Sequence, residues 1–503
     1  MEIDVVEGAP EGVQADVLVF PVPDPVALPR AAEELDRHVE GTLRHLIEDG
    51  ELKGECGCVT VFHTNGKIAA HRLAAAGVGE PEELDSDSYR TAAARAATRT
   101  SEMGGRTVAW ILEDNGDGVS SADQARAIVE GTALGPYDAG RWKTNGEERR
   151  RPVERLVLCG AGAAKVGEEA KRANVVATWT NRCRDLVNAP PNELTPARLA
   201  EWAEQYVGAL DNVSFETLGP EEIRAAGMGA LGAVSLGSAT PARLITLRYS
   251  PKGGARAGIV LGLVGKAITF DAGGLSLKPA NRMEEMKSDM SGGAAVLTAL
   301  GAIAELNVPI EILAVVPATE NMPGGGAYRP GDIVTALNGK TIEVTNTDAE
   351  GRLILADALW YTRESGATHL IDLATLTGAM VIAMGDYYAG LFGNDRDWVE
   401  EIRAAGEASG DHVWPWPLHE TYRRYIRSRV ADMKNSSEYR QGSPILAARF
   451  LEEFVGEGPW AHLDIAGTAY LERGREDYYD REGATGYGVR LIAELARRLT
   501  TSS

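Results

Sequence analysis

The stretch Asn346-Thr347-Asp348-Ala349-Glu350-Gly351-Arg352-Leu353 constrains this chain more than any other, because it sets two carboxylates and a guanidinium at alternate positions. Upstream, Thr341-Ile342-Glu343-Val344-Thr345 alternates polar and apolar residues with β-branched side chains, a strand signal. Downstream, Leu353 to Tyr361 is rich in Leu and Ala and reads as a helix. The charged trio then falls where a strand ends and a helix begins, the crevice that ligands occupy in open α/β sheets. On a continuous helix Glu350 would face away from Asp348 and Arg352, whereas on extended chain residues two apart share a face. Extended backbone is therefore expected here, with the three charges converging on one site.

A chain of 503 residues exceeds the size at which a single core stops growing, so two domains are expected. Its 73 acids against 51 bases leave a net charge of −22, which repels nucleic acid and anionic lipid. The N-terminus, Met1-Glu2-Ile3-Asp4, lacks the basic and apolar regions of a secretory signal, and no run approaches the length of a membrane span. Cys56 and Cys58 are too close for ordinary disulfide geometry and read as buried thiols rather than a metal site, while Cys159 and Cys183 fall in core or helix positions. A reduced, cytoplasmic chain with no nucleic-acid or membrane partner is expected.

Residues 1–165 alternate short apolar runs (Val17 to Phe20, Val59 to Phe62, Val108 to Leu112, Leu156 to Cys159) with helical patterns, one being the stripe Leu35, Val39, Leu43 and Leu46. The loops 114–121 and 143–151 are polar and carry no convergent acid, base or ligand set, so a scaffold or assembly role is expected for this part. Glu168 to Val187 reads as a linking helix over 166–190, ended by Pro190-Pro191. The remainder, 191–503, begins with a helix over Pro196 to Tyr206 and carries buried-strand candidates at Ile259 to Val264, Ile310 to Val316 and Leu370 to Ala374, with a helix over Ala294 to Leu306. The expected fold class is α/β: two domains, each a mostly parallel sheet flanked by helices, the N-terminal one smaller.

Directly after the strand at Ile259 comes Gly265 to Pro279, in which Lys266, Asp271 and Lys278 bracket Gly273-Gly274, with Asp289 downstream. The chain carries far more arginine than lysine, so lysine at these points is informative. Arginine stays protonated in proteins, whereas a partly desolvated lysine near cations is driven neutral and lends its lone pair to a metal. Lys266 is thus a candidate ligand and Lys278 a candidate electrophile; the plain alternative is two surface lysines in ordinary ion pairs. Asp271, Asp289, Asp348 and Glu350 supply enough oxygens for two bridged divalent cations. Such pairs, roughly 3.5–4 Å apart, lower the pKa of a trapped water toward neutrality and yield a hydroxide aimed at a carbonyl or phosphoryl group. His369 opens a strand, and His462 lies in Trp460 to Gly467, a core segment in which a hydrogen-bonded histidine is expected. Neither HExxH nor GxSxG occurs, and Ser276 and Ser288 have no base partner, which disfavours serine chemistry.

With these residues the sequence resembles the two-metal leucyl aminopeptidases, the cytosol aminopeptidase family M17. Asn346 to Leu353 matches that family's signature octapeptide in full, and Lys266 to Lys278, Met286 to Met290, Leu373 to Ala379 and Trp460 to Gly467 match further motifs in order. The resemblance implies a macro-like N-terminal domain, a catalytic C-terminal domain, and release of N-terminal leucine and other apolar residues from peptides by two-metal activation of a bridging water. It implies that Lys266, Asp271, Asp289 and Glu350 hold the tighter metal, and that Asp271, Asp348 and Glu350 hold the exchangeable one, with the Asp348 carbonyl as an added donor. Lys278 would steady the gem-diolate oxygen, and Arg352 would anchor a bicarbonate that acts as general base. Met286, Thr375 and Gly378 would line the first side-chain pocket, with Leu376 offering backbone groups to the peptide. Zinc and manganese both suit the ligand set. The family also implies a homohexamer, a dimer of trimers.

Two departures from the family pattern, Ala267 and Ala272, touch no ligand. Three alternatives stand beside this reading: a regulatory DNA-binding role, disfavoured by the acidity; a two-metal phosphatase, disfavoured by Lys266; and an inactive homologue, disfavoured because every expected ligand is present.

Overall fold

Strands rich in Val, Leu and Ala, spaced by helices, give each part of the chain its own sheet. The computed structural model describes residues 1–112, 118–145, 150–256, 258–439 and 441–501. The polar loops at 114–121 and 143–151 lie in part outside the described residues. One compact unit comprises Met1–Asn181 and Glu472–Glu482; the other comprises Arg182–Leu471 and the chain from Gly483 onward. The division falls inside a single helix, Gly167–Asn188.

In the first unit six strands, β1 (Glu2–Val6), β2 (Val17–Pro23), β3 (Val59–His63), β4 (Arg72–Gly79), β5 (Thr107–Ile111) and β6 (Arg155–Cys159), form one sheet in the order β1-β6-β5-β2-β4-β3. Every pair is parallel except β3 with β4. Hydrophobic clusters that draw on alternate residues of β2, β4, β5 and β6 include Val17, Val19 and Trp110 in one and Leu18, Phe20 and Ile111 in the other, as the period of two requires. The stripe Leu35, Val39, Leu43 and Leu46 is split between two helices, α1 (Arg30–His38) and α2 (Thr42–Glu48). Glu40 and Gly41 both take positive φ between them, a conformation no helix continues through. Cys56 is exposed and Cys58 half-buried, so neither is the buried thiol expected; Cys159 and Cys183 are buried, and all four are free.

In the second unit the main sheet runs β16-β15-β18-β14-β9-β11-β8-β7, with β10 beside β11. These strands are β7 (Val213–Leu218), β8 (Arg243–Tyr249), β9 (Val260–Gly265), β10 (Ala267–Asp271), β11 (Glu311–Asn321), β14 (His369–Ala374), β15 (Ala389–Gly393), β16 (Val413–Pro415) and β18 (Trp460–Asp464). A small separate sheet joins β12 (Ile333–Thr335), β13 (Thr341–Glu343) and β17 (Met433–Lys434). The pairs β18/β14, β14/β9, β9/β11 and β10/β11 are parallel, and β15/β18, β11/β8 and β8/β7 are antiparallel. Central strands are buried on both faces, which is why they read as continuous apolar runs.

Three differences from the expected elements bear on the site. The segment after β9, for which no strand was expected, resumes as β10, with an irregularity between Ile268 and Phe270 that leaves Thr269 as an extra residue. Next, β11 runs past Pro317 to Asn321 instead of stopping at Val316. Pro317 sits where the parallel partner changes from β9, which ends its pairing at Val315, to β10, which begins at Ala318, so its missing N–H falls in a gap. Finally, the strand before the octapeptide, β13, belongs to the small sheet, not to the main one.

The helix α3 (Gly351–Glu364) follows the octapeptide and packs into the core through Leu353, Ile354, Ala358 and Leu359. Its buried Asp357 accepts the backbone amides of Leu231 at 2.8 Å and Leu337 at 2.7 Å. Replacing Asp357 with alanine strips both amides of their acceptor, so Asp357→Ala is expected to lower the unfolding free energy by about 3 kcal/mol in urea titrations. Among the described residues no helix is long and apolar enough to cross a membrane.

Candidate metal centre

The loop between β13 and α3 turns at Thr347 and Asp348, and Glu350 already has helical dihedrals of φ −75° and ψ −36°. The expected extended backbone is therefore not found; a turn running into a helix start takes its place. It still brings Asp348 and Glu350 together, because a turn over Asn346–Ala349, closed by the Ala349 amide on the Asn346 carbonyl at 3.3 Å, leads directly into the helical residue Glu350. Asp271, at the end of β10, completes a group in which one ligand atom from each of Asp271, Asp348 and Glu350 lies within 4.8 Å of the others.

Two lysines thread this group. Lys266 Nζ lies 2.8 Å from Asp289 Oδ2 and 2.9 Å from Glu350 Oε1, and it donates to the Thr375 carbonyl at 3.0 Å. Lys278 Nζ lies 2.8 Å from Asp271 Oδ2 and 2.5 Å from Asp348 Oδ1. Surface lysines do not describe them: Lys266 is 3% exposed, and the Lys278 side chain 21%. Asp289 Oδ2 and Asp348 Oδ1 are buried without an aligned hydrogen bond, so each has only its contact with a lysine amine.

Four carboxylates face two ammonium groups, and the imbalance shows in their proton affinities. Burial, then the adjacent Glu350 charge, pushes Asp271 up to about 6. Burial pushes Asp289 up to about 8 although Lys266 opposes it. Glu350 goes the other way: Lys266 and Lys278 outweigh the burial that would raise it, holding it below the usual carboxylate range. Burial alone would lower both lysines, but their acid partners raise them. A divalent cation would supply the positive charge this cluster lacks. Glycines clear the space: Gly273, at φ +85°, would set a Cβ 2.9 Å from Asp348 Oδ1, and a Cβ on Gly351 would meet Lys266 Nζ at 2.8 Å. Donor set, unpaired oxygens and cleared backbone all fit divalent metal.

The profile of the cytosol aminopeptidase family catalytic domain matches residues 181–493, and that of the family's N-terminal domain matches 17–146. The chain belongs to the cytosol aminopeptidase family. It is a metal-dependent aminopeptidase, a hydrolase. A probable cytosol aminopeptidase of Roseiflexus castenholzii is 42% identical over 99% of this chain and all of its own, and one from Geotalea uraniireducens is 44% identical over 93% of this chain and 94% of its own. Among solved structures, a mutant of tomato leucine aminopeptidase superposes with a TM-score of 0.88 at 34% identity, covering 99% of this chain and 96% of that one. The bottromycin maturation enzyme BotP in complex with Mn superposes with a TM-score of 0.85 at 34% identity, covering 97% of this chain and 100% of that one.

In this cytosol aminopeptidase family member, Arg352, Thr375 and Met286 are tied by contact or by sequence to residues of the cluster, and Leu376 and Gly378 follow Thr375 in the chain. Arg352 sits in the first turn of α3, buried, and donates from Nη1 to the Asn435 carbonyl at 2.7 Å. Its Nε is buried without a partner, and burial pulls the guanidinium down to about 10 while Glu350 and Asp464 oppose this. The Thr375 hydroxyl donates to Asp289 Oδ1 at 2.6 Å. The Leu376 amide donates to Asp464 Oδ1 at 3.2 Å. Met286 is half-buried, and its carbonyl accepts the Asp289 amide at 3.3 Å; Gly378, itself exposed, opens the helix Gly378–Met384, which is anchored by the buried Met380. His462 is the hydrogen-bonded core histidine expected, 2.6 Å from Asp372 Oδ1.

Several residues around the cluster escaped the sequence reading. Thr347 fastens the Gly-Gly loop to the octapeptide: its hydroxyl donates to the Gly273 carbonyl at 2.7 Å and accepts the Ser276 amide at 2.7 Å. Asp464 braces the Thr375–Thr377 loop, accepting the Thr377 hydroxyl at 2.6 Å. Asn321 contacts two of the acids. Thr347 stood inside the octapeptide, but Asn321 and Asp464 lie at strand ends remote in sequence, and only the sheet register brings them in.

Proposed function

We propose that this chain removes N-terminal residues, leucine and other apolar ones preferred, from peptides with two divalent cations per subunit. The observation that carries the reading is the convergence of Asp271, Asp348 and Glu350 within 4.8 Å. Asp271, Asp289 and Glu350 would hold one cation, joined by Lys266 only once the cation displaces its ammonium proton, which its acid partners otherwise hold in place; Asp271, Asp348 and Glu350 would hold the other. When bound, the cations supply Lewis acidity that acidifies water and polarises a carbonyl.

The chain's own residues do the rest. Lys278, steadied by Asp271 and Asp348, places its ammonium to stabilise negative charge growing on the carbonyl oxygen. With both cations in place the carboxylate charge is neutralised, and a free α-amino group would be held by one of the cations, which selects a peptide N-terminus. Met286, Thr375 and Gly378 shape the space for its side chain, and Leu376 offers backbone groups to the peptide. Arg352, buried and with Nε unpartnered, is the seat for bicarbonate. Zinc and manganese both suit this ligand set, and the Mn complex of BotP supports the second. A cytoplasmic homohexamer, a dimer of trimers, completes the proposal.

The test is hydrolysis of an aminoacyl-anilide panel after chelation and re-addition of Zn2+, Mn2+ or Co2+. Activity is expected to vanish on chelation and return with at least one metal, fastest on leucine; no recovery with any metal would count against the scheme. For Arg352, alanine is expected to leave metal content unchanged while slowing turnover about 10²-fold, the lower end for assistance by a general base. Lost metal in Arg352→Ala would contradict its role as an anion seat.

A further inference from the structure

Asn321 ends β11 opposite Asp271, the last residue of β10, as register partners in a parallel ladder. It is fully buried. Its Nδ2 donates to Asp271 Oδ1 at 2.8 Å and to the Thr347 carbonyl at 3.0 Å, and it lies 3.4 Å from Glu350 Oε2. Three acceptors around one nitrogen fix the amide's orientation, since the opposite flip would set Oδ1 against three oxygens. Oδ1 is left buried with no hydrogen-bond partner. Gly274 leaves room beside it, because a Cβ there would come within 2.8 Å of that oxygen. An unpaired buried amide oxygen is unfavourable, so the fold holds this orientation at a cost and for the sake of what Nδ2 does.

What Nδ2 does follows from the other oxygen of each acid. Asp271 has Oδ1 on Asn321 and Oδ2 on Lys278; Glu350 has Oε2 toward Asn321 and Oε1 on Lys266. One amide therefore fixes the rotation of two carboxylates that otherwise repel each other, and holds them at a set separation. We propose that Asn321 is a positioning residue for the metal centre, orienting Asp271 and Glu350 so that both reach the same cation. This rests on the two-cation reading above.

The test uses the full-length protein stripped by a chelator and titrated with Mn2+ by calorimetry, beside Asn321→Ala and Asn321→Ser. Alanine removes the donor; serine keeps a polar group too short to reach both acids. Both variants are expected to unfold thermally near the wild-type midpoint when metal-free, and to bind Mn2+ about 10–100-fold more weakly, as loss of an outer hydrogen-bond partner to metal ligands does. A folded variant that binds Mn2+ as tightly as wild type would overturn the proposal while leaving the two-cation reading standing. Failure of both variants to fold without metal would overturn it too, by making Asn321 an anchor of the fold. If the wild type itself takes up no Mn2+, the two-cation reading falls first and this proposal with it.

Discussion

Glu350→Ala is expected to lower kcat/KM for leucine anilide by at least about 10³-fold, some 4 kcal/mol of lost transition-state stabilisation, while the protein stays folded. Glu350 is buried and central: it lies with Asp271 and Asp348 in the acid group, contacts Lys266 at 2.9 Å and faces Asn321. Both cations proposed above would use it, so metal content should fall along with activity. The fold is expected to survive because the deletion removes one of four mutually repelling carboxylates and leaves Lys266 paired with Asp289. Asp348→Ala is expected to act in the same direction with a smaller effect on stability, its side chain being 32% exposed. Turnover at the wild-type rate in either purified variant would sink the ligand assignment.

Lys278→Ala is the second large effect, expected to reduce kcat about 10²–10³-fold with little change in KM, the pattern for a group that acts in the transition state and not on bound substrate. Lys278 differs from Lys266 in exposure: its side chain is 21% exposed against 4%. That places it as the lysine a substrate can meet. Metal content is expected to be retained in this variant, since Asp271 and Asp348 lose only a competing cation. A kcat within a few-fold of wild type would show that the oxyanion is held by other groups.

How far the sequence carried depended on whether a residue's neighbours were near in the chain. Apolar runs located strands at Val17, Val108, Leu156, Val260 and Leu370 because burial on both sheet faces writes itself into composition, whereas the half-buried edge strand at Val59 showed itself through its β-branched residues. The octapeptide announced its acids, yet its backbone was misjudged: period-two spacing suggested extended chain, and a turn produced the convergence instead. Asn321 stayed hidden behind Pro317, since a proline usually ends a strand and here falls in a gap between two partners. The helix break at Glu40-Gly41 was masked in the same way by an unbroken apolar stripe. Pairing partners are a property of the whole sheet, and no local window contains them.

The irregularity at Thr269 in β10 has a consequence for how this chain can vary. Side chains alternate between faces along a strand, so the inserted residue sets the parity with which Asp271 meets Asn321. Deleting Thr269, or adding one more residue beside it, would turn Asp271 to the opposite face without altering a single functional side chain. The strand is therefore expected to accept changes of residue far more readily than changes of length.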